Sequence, residues 1–320
     1  MPVADRIATA DILKARSVKN AVDPTRPYAF LVEPECTAQG LVEDVATIFL
    51  TNRECPFRCV FCDLWKNTTN DRVPVGSIPA QIEYALEQLP AARHIKLYNS
   101  GNFFDPQAIP REDWPAIARI ISSFDTVIVE NHPKFCDDQC VRFRDLVGTQ
   151  LEIAIGLETV HPEILPRLNK QMSLDDFANA VMFLRRHDIT VRSFILLRPP
   201  WLDEQEGIDW ALRSIRTSFD LDIGCCSVIP SRSGNGIMEQ LEKSGEFTEP
   251  RIESMESVLE AGIGLERGRV FMDLWDAERF ADCPRCATQR IDRMQQMNLT
   301  QTFLPAGMCD SCQSSTEAST

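Results

Sequence analysis

The sequence predicts an α/β fold: a six-stranded partial (βα)6 TIM-like barrel with a small C-terminal four-cysteine metal-binding appendage. Three observations predict it. Short β-rich runs alternate with amphipathic helical stretches, the pattern of parallel strands joined by right-handed crossovers. Six such units are too few for a closed eight-stranded barrel, so the sheet is expected to stay open. Two Cys-x2-Cys pairs follow the last unit, at 283–286 and 309–312, close to the paired spacing of four-thiolate sites.

The candidate strands are 47–51, 95–100, 126–131, 152–158, 192–199 and 225–230, with helices at 79–89, 113–123, 174–187 and 204–219 between them. One helix shows its signals fully. Leu174, Phe177, Ala178, Val181 and Leu184 recur at helical spacing, giving one apolar stripe. Ser173 just before them, with Asp176 three residues on, reads as a capping box. The organisation expected is an N-terminal extension (1–46), a core (47–268) and a C-terminal metal-binding region (269–320), with Ser314 to Thr320 a frayed tail. In such a barrel the reactive residues sit on loops at the carboxyl ends of the strands.

Of the 320 residues, 44% are hydrophobic and 25% charged, an ordinary globular balance. No run approaches the ~18 apolar residues of a membrane span. The first ten residues carry Asp5 and Arg6 and lack the apolar core of a signal peptide. The expectation is a soluble, cytoplasmic protein without membrane association. The formal net charge of −14 argues against extended nucleic-acid binding by this chain alone, because such binders neutralise phosphates with Lys and Arg. It leaves room for a local basic mouth (Arg142 with Arg144, Arg185 with Arg186) or a basic partner, although each pair reads more simply as a solvated helix face.

Twelve cysteines in such a chain, seven of them in two short-spaced groups, point to metal rather than disulfide chemistry. The first group is Cys55-Pro-Phe-Arg-Cys59-Val-Phe-Cys62, directly after the first predicted strand. Three thiolates on one tight loop can hold three irons of a 4Fe–4S cluster and leave the fourth open. Zinc would want a fourth ligand, and no Cys or His follows promptly.

That spacing, the aromatic Phe61 before the last cysteine and the place after strand one resemble the radical S-adenosylmethionine (SAM) superfamily. The resemblance implies that the open iron chelates SAM and that one electron cleaves it to methionine and a 5′-deoxyadenosyl radical, the cofactor supplying the chemistry and the protein its positioning. It extends along most of the chain. Tyr98-Asn99-Ser100-Gly101-Asn102 falls where the superfamily usually has Gly-Gly-Glu against the SAM amino group, so only the backbone role of Ser100 and Gly101 carries over. Gly156 and Glu158, in Ala154-Ile155-Gly156-Leu157-Glu158, match a ribose-contacting segment. Lys170 matches the basic residue for the SAM carboxylate, and Ile195 to Leu197 should pass the adenine. Phe61 and Glu130 join these as cofactor-binding candidates. More narrowly, 100–106, 155–159, 196–202 and the terminal Cys pair beside Asn298-Leu299-Thr300-Gln301 resemble the archaeosine synthase radical SAM subunit and the Elongator-like tRNA-modifying branch. This implies hydrogen abstraction from a lysine adduct on a deazaguanine base in tRNA, then carbon–nitrogen cleavage, alongside a partner that attaches the lysine.

The second group, Cys283, Cys286, Cys309 and Cys312, suits a closed structural zinc site or an auxiliary iron–sulfur cluster, and spacing alone does not separate them. Cys36, Cys136, Cys140, Cys225 and Cys226 read as small core hydrophobes. His132, beside Glu130 at the mouth, and His161 read as ordinary loop residues. Phe103, Phe104 and Trp201 read equally as base-stacking or core rings. The function expected is a radical SAM enzyme served by ferredoxin or flavodoxin and acting on a tRNA base. The alternatives are radical chemistry on a small metabolite or natural product, and a non-catalytic iron–sulfur scaffold.

Overall fold

The computed structural model describes residues 6–307 and 309–312, so the tail from Ser314 to Thr320 lies outside the described residues. In chain order the elements are α1 (Thr9–Ala15), β1 (Ala29–Cys36), β2 (Val42–Phe49), α2 (Ser77–Leu86), β3 (His94–Tyr98), α3 (Trp114–Ile121), β4 (Thr126–Asn131), α4 (Asp138–Val147), β5 (Gln150–Glu158), α5 (Ile164–Arg167), α6 (Leu174–Arg186), β6 (Thr190–Leu197), α7 (Glu204–Asp220), β7 (Cys225–Pro230), α8 (Ile237–Lys243), α9 (Ile252–Ile263), β8 (Arg269–Met272) and α10 (Pro284–Thr300). One curled, open sheet runs β1 to β8 in sequence order. β1 pairs antiparallel with β2 and every later pair is parallel.

All six predicted strands are present as β2 to β7, but the sheet has eight strands, not six. Each addition is an edge strand with a weak signal. β1 carries Pro34 and two glutamates, and β8 is four residues long. The sheet therefore begins at Ala29 and ends at Met272, beyond both limits of 47–268.

Alternation divides each strand between two faces. Ile48, Leu97, Val129, Ile153 and Val191 point outward and are buried with α2, α3, α4 and α6. Ile195, Leu197, Val228 and Val270 are buried with α7, α9 and α10. In α6 the core face is Phe177, Ala180, Val181 and Leu184, while Leu174 is 37% exposed at its start. The capping box forms: Asp176 N–H donates to Ser173 Oγ (3.1 Å) and Ser173 N–H to Asp176 Oδ2 (2.8 Å).

The inner face carries charge. Glu35 on β1 meets Lys96 on β3 (2.6 Å) and Arg192 on β6 (2.5 Å). Glu152 on β5 meets Arg192 (2.7 Å) and Arg269 on β8 (3.4 Å), and Arg269 donates to the Cys36 carbonyl (3.0 Å). β1 reaches β6 and β8, with which it does not pair, only across the hollow of the curled sheet. The β1–β2 hairpin thus covers the gap, held by buried ions that fix alignment more than they add stability.

The open edge is covered by side chains. Asn298 accepts from Met272 N–H and donates to Met272 C=O, both at 2.9 Å. Gln301 does the same at Val270 (2.8 and 3.0 Å). Two carboxamides thereby stand where another strand would pair, which blunts an exposed edge. Asn298→Ala strands the Met272 backbone polar groups, and the expected loss is about 2 kcal/mol of stability, read by urea unfolding. No helix among the described residues is long and apolar enough to cross a membrane.

Candidate functional site

Cys55, Cys59 and Cys62 lie on the loop after β2, each partly buried. The loop is fastened from several sides. Val60 N–H donates to Leu168 C=O (3.0 Å). Asn169 donates to Arg58 C=O (2.8 Å), and Asn235 donates to the carbonyls of Val60 (2.7 Å) and Cys62 (3.2 Å). Glu54 takes Arg16 (2.6 Å), Lys19 (2.8 Å) and Arg58 (3.3 Å), tying the N-terminal segment to the same loop. Asn102 Nδ2 donates to Cys55 Sγ at 3.3 Å. Asn102, Asn169 and Asn235 escape a sequence reading because nothing local marks an asparagine as buried.

Burial pushes all three thiols up, Cys62 to about 12 and Cys59 well above its ordinary value, against the pull of Lys170 on Cys59. The protein alone holds them protonated, so a group that binds there must displace protons. Among the described residues, the sulfurs compact enough for a single ion are those of the C-terminal quartet and not these three. Three spread thiols with an amide donor at one sulfur fit a cluster, in which each thiolate takes its own iron.

The neighbouring strand ends are strained and short of partners. Ser100 (φ 52°), Glu158 (65°), Asn169 (55°), Gln171 (63°) and Arg198 (52°) all occupy the left-handed region, a strain that persists where surroundings over-determine it. Thr51 Oγ1, Asn52 Oδ1, Asn131 Oδ1 and both carboxamide atoms of Asn99 are buried without a protein partner. Such orphans call for a bound molecule or water. Of these, Asn99 lies beside the cysteine loop, its Nδ2 3.8 Å from the virtual Cβ of Gly101, and is fit to meet a small zwitterion there, whereas Asn131 donates to Cys136 Sγ (3.4 Å) on the outer side of β4.

Lys170 Nζ pairs with Glu158. Burial, the largest influence, opposes the ammonium charge, and Glu158 together with Cys59 and Cys55 more than offsets it, so Lys170 is held charged. A Cβ on Gly156 would stand 2.0 Å from Glu158 Oε1 and 2.1 Å from Lys170 Nζ, so only glycine leaves room for the pair. Gly101 lies in ordinary contact with the cysteine loop, its virtual Cβ 3.4 Å from Cys55 Cβ. Tyr28 OH meets Ser100 Oγ at 2.9 Å.

His132 does more than an ordinary loop histidine. Burial drives it down to about 3, so it is neutral. Its Nδ1 accepts from Lys134 N–H (3.2 Å), which leaves Nε2–H to donate to Lys170 C=O (3.0 Å). Phe57 of the cysteine loop stacks on it at 3.9 Å. It links that loop to Lys170.

Glu130 accepts from Asn99 N–H (2.9 Å). Burial raises its carboxyl to about 7, against the amides of Asn99, Ser100 and Gly101. Folding therefore raises its proton affinity. The folded state is favoured below the ordinary carboxylate range and loses that advantage as pH climbs towards 7. Without bound cofactor, the melting temperature of wild type relative to Glu130→Gln should fall by a few degrees between pH 5 and 8.

The other candidates take the following places. Ile195 and Leu197 are fully buried in the outer core. By strand alternation Phe194 and Leu196 face inward, so Ile195 and Leu197 can offer an adenine only backbone. Phe61 packs on Leu196, Ile164 and Leu168. Phe103 and Phe104 are core, 0% and 2% exposed and ringed by Phe143 and Trp114. Trp201 lies under Arg167 (3.8 Å) and donates to Glu246 (3.1 Å). His161 caps the turn before α5 and lies against Trp210 (4.3 Å). Arg142, Arg144, Arg185 and Arg186 sit on α4 and α6 towards their carboxyl ends, which lie at the opposite end of the barrel from the mouth. Arg144 pairs with Asp145 (2.5 Å) and Arg185 with Asp222 (2.6 Å). Cys36, Cys140, Cys225 and Cys226 are buried, and Cys136 is partly buried.

Cys283, Cys286, Cys309 and Cys312 converge, with all four sulfurs within 4.8 Å of one another. Cys283–Cys309 is 4.0 Å and Cys286–Cys312 is 3.6 Å. Backbone amides two and three residues on pull the Cys283 thiol down to about 7 and lower that of Cys309.

A family model described as the Radical SAM superfamily matches residues 49–209. An uncharacterized protein of Methanocaldococcus jannaschii is 23% identical, covering 90% of this chain and 84% of its own length. Archaeosine synthase subunit beta of Methanosarcina acetivorans is 24% identical over 271 residues, 76% of this chain and 74% of that protein. The archaeal Elp3 of Methanocaldococcus infernus aligns with a TM-score of 0.51 at 16% identity, over 70% of this chain and 59% of that one. That last likeness is one of fold.

Proposed function

The chain belongs to the radical SAM superfamily, and from that premise we propose that it acts on a base in tRNA, in the manner of an archaeosine-type carbon–nitrogen lyase. The observation that carries the chemistry is the three-thiol loop beside the Glu158–Lys170 pair and the unpartnered Asn99. When bound, a 4Fe–4S cluster and SAM supply reductive cleavage and hydrogen abstraction. This chain's residues do the rest. Cys55, Cys59 and Cys62 would hold three irons, with Asn102 donating to the first sulfur. Lys170 would meet the methionyl carboxylate, Glu158 the ribose hydroxyls, and Ser100 and Gly101 the amino end. Glu130 fixes that strand end from behind, and His132 fixes Lys170. The reading of tRNA as substrate draws support from relatives named archaeosine synthase subunit beta. The word subunit also favours a protein partner, and a ferredoxin or flavodoxin would supply the electron.

The test is anaerobic incubation of cluster-loaded protein with SAM and dithionite. 5′-Deoxyadenosine should form and should rise when substrate tRNA is added. Formation that tRNA leaves unchanged, with or without the partner, would overturn the tRNA reading. One observation favours a small-molecule substrate instead: the net charge is −14, and the arginine pairs lie away from the mouth.

We also assign the quartet to one tetrahedral zinc ion rather than an auxiliary cluster. Zinc–sulfur bonds of about 2.3 Å place sulfurs about 3.8 Å apart, whereas a four-iron cluster spreads its thiolates over four metals. One zinc per chain is expected by elemental analysis, and stripping it should lower the melting temperature, since structural zinc contributes folding energy.

A further inference from the structure

We propose that Asn102 is a positioning residue that raises the reduction potential of the cluster, by donating its side-chain amide to the sulfur of Cys55. This rests on the cysteine loop holding a 4Fe–4S cluster, and adds a residue outside that loop that sets how readily the cluster takes an electron. Asn102 Nδ2 lies 3.3 Å from Cys55 Sγ. An iron-bound thiolate carries no proton and can only accept, so the carboxamide meets it through nitrogen.

The amide is delivered from a fixed turn after β3. Phe103 N–H donates to Glu130 C=O (2.8 Å), and Asp105 N–H donates to Asn102 C=O (3.2 Å). Phe103 and Phe104, next in the chain, are 0% and 2% exposed. Gln107 N–H donates to Asp105 Oδ1 (2.9 Å), and Arg53 donates to Gln107 Oε1 (2.7 Å), closing the turn onto the start of the cysteine loop. Asn102 itself is 3% exposed, so water does not compete for the sulfur.

Cys55 also takes the backbone amide of Phe57, and Cys62 that of Leu64. Those donors belong to the loop. Asn102 reaches in across 47 positions, so it can be changed without rebuilding the loop. An added electron increases the negative charge on the sulfurs, and a donor binds the more negative form more tightly. The hydrogen bond therefore favours the reduced cluster, as hydrogen bonds to cluster sulfurs set potential. Burial works the other way, because a low-dielectric surround penalises the added charge.

The test is a redox titration of cluster-loaded protein without SAM, followed by EPR of the reduced cluster, in wild type and Asn102→Leu. Leucine has nearly the same shape and cannot donate. At the wild-type midpoint the ratio of reduced to oxidised cluster should fall about tenfold, a downward shift of about 59 mV for one electron, with iron content per chain unchanged. Asn169→Ala is the control. Asn169 fastens the same loop through the Arg58 carbonyl (2.8 Å) rather than a sulfur, so the midpoint should stay in place. A midpoint unchanged in Asn102→Leu, or shifted equally in Asn169→Ala, overturns the proposal. Should leucine prevent cluster loading, Asn102→Ala is titrated under the same two criteria. Wild-type iron content and cluster absorbance are read first: a loop that takes up no cluster refutes the cluster reading itself, and a loaded loop with an unmoved potential refutes only the role of Asn102.

Discussion

Cys59→Ala should abolish the cluster absorbance and lower 5′-deoxyadenosine formation by about three orders of magnitude or more. Cys59 is a thiol that its surroundings strongly disfavour charging, with burial dominant and Cys55, Cys62 and Glu158 adding repulsion. Such an environment tolerates a thiolate only when metal neutralises it. With two ligands left, the irons lose their third anchor and no defined site remains for SAM. Cys225→Ala is the control. Cys225 is 0% exposed on β7 beside Arg192 and far in function from the loop. It should cost about 1 kcal/mol through a small cavity and leave iron content intact. Equal iron content in Cys59→Ala and wild type would refute the assignment.

Lys170→Met carries the second large effect. Lys170 and Glu158 are 8% and 4% exposed and each is the other's counter-ion. Removing one partner leaves a buried carboxylate uncompensated, at about 3–5 kcal/mol. The double variant Glu158→Gln with Lys170→Met should recover most of that loss while still failing to bind SAM. Separating the two readouts tells structural role from cofactor role. Melting reports the ion pair, and dialysis of labelled SAM reports the site. SAM affinity unchanged in the double variant would remove both residues from the cofactor site.

Much of this was legible in the chain. The triad Cys55, Cys59 and Cys62 shares one loop because few residues separate its members, whereas the two Cys-x2-Cys pairs at 283–286 and 309–312, each legible as a local spacing, are brought together only across α10. The capping box at Ser173 and the six central strands follow from local propensity and periodicity in the same way. Glu158 and Lys170 came through resemblance, and they do meet.

What the chain could not reveal is which face a residue takes and which distant residue it meets. Ile195 and Leu197 sit on the right strand but point outward, because one step along a strand reverses the side chain. β1 and β8 were hidden because their charges, Glu33, Glu35 and Arg269, face a polar hollow rather than a core. The asparagines at 102, 169 and 235 look like loop residues until folding brings them to the cysteine loop across 47, 111 and 175 positions. Short-range spacing marked the two cysteine groups by itself. Only the curl of the sheet decided the contacts across its hollow, from Glu35 to Lys96 and Arg192, since they depend on strand twist and side-chain facing that no local pattern encodes.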